Sequence, residues 1–283
     1  MSGSTAPAVL RASWAQARVT VRRKYLSPTG ISALVTPVIF LTVLWFFRDS
    51  QIRGLVPTSA WLFSGMLTFG LVAGAVLGVA ADIQAEREDG TLLRAKAVPH
   101  GMTGHLLAKL VVALVDALVP VFPLLGLAAV LLPELLPGSL GAWVGFGLLY
   151  LLATAAMLPW GAVLGSLFRT AVGVGVAGLV VYAVAAVSGI FYPLTALPGW
   201  LQVVGQATPQ YWIGLGMRRA LLDPSAASLE VGGTWRTELV VGVLLAWAVA
   251  GIVLAPVLLR RMARRQSGRA VAEARDRVLS RGY

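Results

Sequence analysis

Thr58-Ser-Ala-Trp61-Leu-Phe-Ser-Gly65-Met66-Leu-Thr-Phe69-Gly70-Leu-Val-Ala-Gly74-Ala-Val-Leu-Gly78-Val-Ala-Ala81, followed at once by Asp82-Ile-Gln-Ala-Glu86-Arg87-Glu88-Asp89-Gly90-Thr91, is the stretch from which the fold can be read. Its first part carries no charge and exceeds the roughly 20 apolar residues that a helix needs to cross a hydrocarbon core of about 30 Å. Its second part is a dense polar island. A span that ends in such an island predicts a helix leaving the membrane into water.

Working outward, five further apolar runs of similar length appear, at Thr29 to Phe47, Leu106 to Leu132, Leu140 to Phe168, Ala171 to Ile190 and Leu239 to Leu259. The expectation is an all-α polytopic membrane protein with six transmembrane helices occupying residues 29–259. Composition agrees: 58% of the 283 residues are hydrophobic, only 12% are charged and the mean hydropathy is +0.81, whereas a soluble domain carries about a quarter charged residues.

The placement of lysine and arginine sets the orientation, because cytoplasmic segments keep the positive excess. Of 23 basic residues, eighteen fall in the amino-terminal segment, the island and its exit, the turn at Arg169, and the tail. Only Arg48, Arg53, Arg218, Arg219 and Arg236 fall on the other side, where Asp49, Glu134, Asp223, Glu230 and Glu238 match them. Both termini and the island are therefore assigned to the cytoplasm, and the chain to the plasma membrane. The basic excess comes with no nucleic-acid-binding motif, so no nucleic-acid partner is expected.

Residues 1–28 combine Trp14, Val19, Val21 and Tyr25 with five basic residues. They read either as an interfacial helix on anionic membrane lipids or as a solvated basic leader, and their apolar neighbour is too long for a cleaved signal peptide. The tail, 260–283, is basic, and topology anchoring is its expected role.

Chemistry has little to stand on. There is no cysteine, the two histidines are His100 and His105, and no metal site is expected. A P-loop needs Gly-Lys-[Ser/Thr] so that backbone amides and a lysine cradle phosphates. The lysines here are Lys24, Lys96 and Lys109, preceded by Arg23, Ala95 and Ala108. No ATPase or other enzyme site is expected on this chain, and no cofactor of its own.

Asp116 lies well inside a span, where a charge costs on the order of 3 kcal/mol. It reads as a substrate or proton contact in a cavity, or as a hydrogen-bonded acid within helix packing. Gly70, Gly74 and Gly78 make a smooth ridge expected to serve helix packing. Pro120, Pro123 and Pro159 are expected to kink or open their spans. After the fifth span, Tyr192, Pro193, Pro198, Trp200 and Pro209 punctuate a segment too broken for one span. Its halves, about Gly199 to Ala207 and Tyr211 to Leu222, read as short re-entrant or interfacial helices, with Trp200, Tyr211 and Trp212 at headgroup level.

The island, read from its charges alone, is a solvated loop or a helix of about a dozen residues lying along the membrane surface, with Glu86, Glu88 and Asp89 early and Arg94 and Lys96 late. Its pattern Glu86-Arg87-Glu88-Asp89-Gly90-Thr91-Leu92-Leu93, with Pro99 and Lys109 before the next span, resembles the cytoplasmic coupling segment of the ABC transporter type-2 permeases, which include daunorubicin-resistance and polysaccharide exporters. Ser188-Gly-Ile-Phe-Tyr192-Pro193-Leu-Thr-Ala-Leu-Pro198-Gly-Trp200, then Pro209 and Arg218-Arg219-Ala-Leu, is similar to that family's stretch before its last span. Ala95-Lys96-Ala97 departs from the more apolar residues common there.

The resemblance implies a permease subunit of an ATP-driven exporter, paired with a second copy or a paralogue and with a separate ATPase subunit that binds ATP and Mg. A coupling segment at 82–105 would use Glu86, Arg87, Glu88, Asp89, Gly90, Thr91 and Arg94. An extracellular re-entrant segment at 191–222 would cap a path reached by the second and fifth helices. Met66, Phe69, Asp116 and Tyr182 are the candidate path residues. Their apolar character suggests an amphipathic cargo, such as a drug, antibiotic or lipid-like molecule, with a lipid-linked glycan second. A secondary transporter would need more intramembrane ionisable groups, and a non-transporting membrane sensor on the same scaffold would look the same in sequence.

Overall fold

The computed structural model describes residues 35–88, 111–168 and 170–280, together with positions 11, 14–15, 17–22 and 25 of the amino-terminal segment, which are helical. The helices are α1 (Val35–Phe46), α2 (Thr58–Ala73), α3 (Val79–Glu88), α4 (Val121–Leu131), α5 (Leu140–Leu167), α6 (Ala171–Val187), α7 (Gly199–Gln206), α8 (Pro209–Leu221) and α9 (Thr237–Ser280). A two-stranded hairpin, β1 (Gln51–Ile52) and β2 (Val56–Pro57), turns the chain between α1 and α2.

The architecture is all-α and multi-pass. Among the described residues four stretches are long and apolar enough to cross a membrane: Thr58–Glu86, Val111–Leu131, Leu140–Leu167 and Thr237–Met262. The expected first and fifth spans are represented by shorter apolar helices, Val35–Phe46 and Val172–Val187; residues 26–34, where the first was expected to begin, lie outside the described residues.

α5 is the centre of the bundle. It packs against α9, α3 and α8, and it can do so closely because its contact face is small: Ala153 and Ala156 are fully buried and Gly161 lies against α2's continuation. A β-carbon at Gly161 would sit 2.5 Å from the Ala75 carbonyl oxygen, so only glycine allows this crossing. Away from the core the surface stays apolar, as at Leu148 on α5, 65% exposed, and Val172 on α6. A helix apolar on both faces fits lipid rather than water as its outer solvent.

Several expectations change. Among the described residues the glycine ridge has no packing partner: nothing there lies within 4 Å of a β-carbon at Gly70, Gly74 or Gly78. Close approach to this helix is made from the other side by Gly161 and Gly165. The island does not begin a new surface helix at Asp82, because α3 carries the second span onward to Glu88 through a π-helical turn, Gly74–Gly78. Residues 89–105 lie outside the described residues.

The last span is likewise one rod with the tail, since α9 runs unbroken from Thr237 to Ser280. Pro159 and Pro123 sit inside continuous helices. Only Pro120 opens its span, with a turn at Val119–Pro120 between two helical stretches.

Candidate functional site

The opening at Pro120 and two of the unpacked glycines, Gly70 and Gly74, belong to one place. α1, α2, the π turn and the third span enclose a cleft of about 310 Å³ whose wall includes Phe40, Met66, Gly70, Gly74, Asp116 and Tyr150. Gly70 and Gly74 have no partner among the described residues because they face this space, whereas Gly78 lies outside its lining. At the break, Tyr150 of α5 donates its hydroxyl to the Ala117 carbonyl at 2.9 Å. A backbone acceptor just ahead of Pro120 is thereby satisfied from a neighbouring helix, as membrane depth requires.

Asp116 sits half-buried in that wall and accepts a hydrogen bond from the Tyr25 hydroxyl at 2.8 Å. This contact ties the amino-terminal helix to the third span. Burial, reinforced by the neighbouring Asp116 carboxylate, pushes the Tyr25 phenol above its ordinary range, so it stays a donor. Asp116 is thus hydrogen-bonded in helix packing and also lines a cavity.

The four candidate path residues divide. Met66 and Asp116 share the cleft. Phe69 and Tyr182 pack on each other with ring centroids 5.5 Å apart, and Phe69 also meets Phe191 at 6.0 Å. They form an aromatic seam between α2 and α6.

The segment before the last span resolves into α7 and α8, closely as its prolines suggested. Pro193 precedes a 3-10 turn at Leu194–Ala196, Pro198 precedes α7, and Pro209 is the first residue of α8. Tyr192 donates its hydroxyl to the Ala186 carbonyl, and burial raises its phenol.

Trp200 is 68% exposed, whereas Tyr211 and Trp212, 0% and 7% exposed, are buried within the protein and not presented at its surface. α8 is a core helix wedged between α2, α5 and α9. The polar ends of these two aromatics are served inside: Trp212 Nε1 donates to the Gln206 carbonyl at 2.7 Å, and Tyr211 accepts from Arg236 Nη2.

Two arginines clamp this outer layer. Arg218 Nε pairs with the Glu230 carboxylate, and neither side chain has exposed surface. The same guanidinium stands 4.6 Å from the ring centroid of Trp61, at the start of α2. Arg236, just ahead of α9, donates to Gln206 Oε1 at 3.0 Å and lies 5.0 Å from the Trp212 ring. The clamp joins α2, α7, α8 and α9. Sequence reading placed Arg218 and Glu230 on the same side but did not pair them. The available signal was an arginine inside an apolar helix, which demands a partner as Asp116 does.

At the opposite end, Glu86 is half-exposed on the last turns of α3, and Arg87 and Glu88 continue that helix. Asp89, Gly90, Thr91 and Arg94 lie outside the described residues. Among the described residues no cluster of three or more His, Cys, Asp or Glu could hold a metal ion.

A family model described as ABC-2 family transporter protein matches residues 54–257. No curated protein matches the chain.

Proposed function

The chain belongs to the ABC-2 family of transporter proteins, and from that premise we propose that it is the membrane permease of an ATP-driven exporter whose ATPase is a separate subunit. Two permease copies, or this chain with a paralogue, would form the pathway in the plasma membrane, with both termini in the cytoplasm. The observation that carries the reading is the cleft between α1, α2 and the third span. It is mostly apolar, with Asp116 its one charged lining residue among the described residues, beside Thr36 and Tyr150, a composition suited to an amphipathic cargo with a basic group, of the drug or antibiotic kind.

The coupling follows from the continuity of the second span. Nucleotide-driven closure of the ATPase would push on Glu86 and on the residues that follow it, Arg87 to Thr91 and Arg94. α3 is continuous with α2 through the π turn at Gly74–Gly78, part of which walls the cleft, so a push on α3 reaches that turn. π turns inside α-helices are local irregularities often found at functional sites, and this one lets α2 and α3 shift relative to each other as a two-state element. The outer clamp holds α7 and α8 closed above the path until that shift reaches Trp61.

The test is transport in proteoliposomes holding the full chain and its ATPase, with a fluorescent cationic dye as cargo. ATP-dependent accumulation is expected, and none without ATP. Accumulation driven by a proton gradient with no ATPase present would instead establish a secondary transporter.

A further inference from the structure

A second apolar space is bordered by other residues of α5 than Tyr150, which lines the cleft. α5, α8 and the start of α9 border a groove of about 470 Å³, floored by Gly141, Gly145, Leu149 and Leu152 and closed at one end by Arg219 and Thr237. Its two sides are held apart by α8, where a β-carbon on Gly216 would meet Leu149 at 2.6 Å.

Three observations specify an occupant. From Gly141 to Leu152 the groove follows α5 for about 16 Å at 1.5 Å per residue, the depth of one leaflet of a roughly 30 Å core. Along that length the floor is bare backbone and leucine: no atom lies within 4 Å of a β-carbon at Gly145. At the mouth, in the leaflet that the charge distribution assigns to the outside, Arg219 is exposed and has no hydrogen bond or carboxylate among the described residues. Arg218 next to it is buried and paired through its Nε with Glu230. A second copy of the chain meeting this face symmetrically would set arginine against arginine, because the groove is lined by no acid.

We infer that this groove binds one phospholipid of that leaflet, with an acyl chain laid along Gly141 and Gly145 and its phosphodiester on Arg219. The site fixes α8, and with it the outer clamp, to the surrounding bilayer. It does not depend on which cargo the chain moves.

Native mass spectrometry of the delipidated full chain, titrated with dioleoylphosphatidylglycerol and with dioleoylglycerol, tests it. The two share their chains and differ in the phosphodiester. The intact protein is expected to prefer the phospholipid about fivefold, the contribution of one basic side chain near the membrane surface. Arg219→Gln abolishes that preference. Gly145→Leu, which fills the groove without striking the chain, weakens both lipids at least fivefold and leaves the melting temperature unchanged; Gly141→Leu repeats the effect at an independent position. Equal binding of the two lipids by the intact protein, or undiminished binding by both leucine variants, would overturn the site. So would efficient cross-linking of Gly145→Cys between two copies, since that result assigns the groove to a protein interface.

Discussion

Arg218 and Glu230 form an ion pair with no exposed side-chain surface, twelve residues apart in sequence and joined across the turn that follows α8. Breaking a dry pair by removing one partner leaves an uncompensated charge and costs about 3–5 kcal/mol. Glu230→Gln or Arg218→Met should therefore lower the melting temperature of the detergent-solubilised protein sharply. The double variant Arg218→Met with Glu230→Leu should recover most of the loss, because apolar residues of similar volume replace the pair without a stranded charge. Additive losses in the double variant would show that the pair is not coupled.

The glycines divide into two kinds with opposite responses. Gly161→Ala places a β-carbon 2.5 Å from the Ala75 carbonyl and should destabilise the protein by about 1–3 kcal/mol, since backbone cannot move as a side chain can. Gly70→Ala meets nothing and should stabilise the helix by roughly 0.5–1 kcal/mol while narrowing the cleft. Melting temperatures of the two variants check the sign of each.

Tyr25→Phe removes the donor to Asp116 and with it a side-chain link between the amino-terminal helix and the third span. A hydrogen bond to a charged group contributes about 1.5–3 kcal/mol, so hydrogen exchange at residues 17–22 should accelerate at least tenfold. Exchange in α5 should stay as it was. Unchanged protection at 17–22 would show that other contacts hold that helix.

Asp116→Asn tests the cleft as a cargo site. For a cationic amphipath KM should rise about tenfold, equivalent to roughly 1.4 kcal/mol, with kcat little changed. For a neutral amphipath KM should not move. An equal effect on both cargoes would mark Asp116 as a packing residue alone.

Much of this was legible in the sequence because lipid imposes simple rules. The bounds expected for α5, Leu140 to Phe168, match the helix to one residue, since nothing but an uncharged run between a serine N-cap and a break at Phe168 decides them. α7 and α8 were legible from Pro198 and Pro209, because proline is favoured at the start of a helix. What stayed hidden depends on which face of a helix meets what. Gly70, Gly74 and Gly78 carry the pattern of a packing ridge, yet packing runs through Gly161, and a spacing of four cannot tell a ridge that is used from one that lines a cleft. Trp212 could not be told from an interfacial tryptophan until Gln206 and Arg236 supplied its polar surroundings. Tyr25 and Asp116 are 91 residues apart, and no periodicity links them.

The central claim is that this chain is moved by an ATPase it does not contain, pushing at the end of α3. Affinity purification of the full chain from its native membrane, followed by identification of stoichiometric partners, tests it most directly. The account predicts a P-loop ATPase in the eluate of the intact chain, and its loss from Glu86→Lys with Glu88→Lys while the permease itself remains folded. Elution of the chain with no P-loop protein, or equal recovery of the ATPase by the charge-reversed variant, would contradict it.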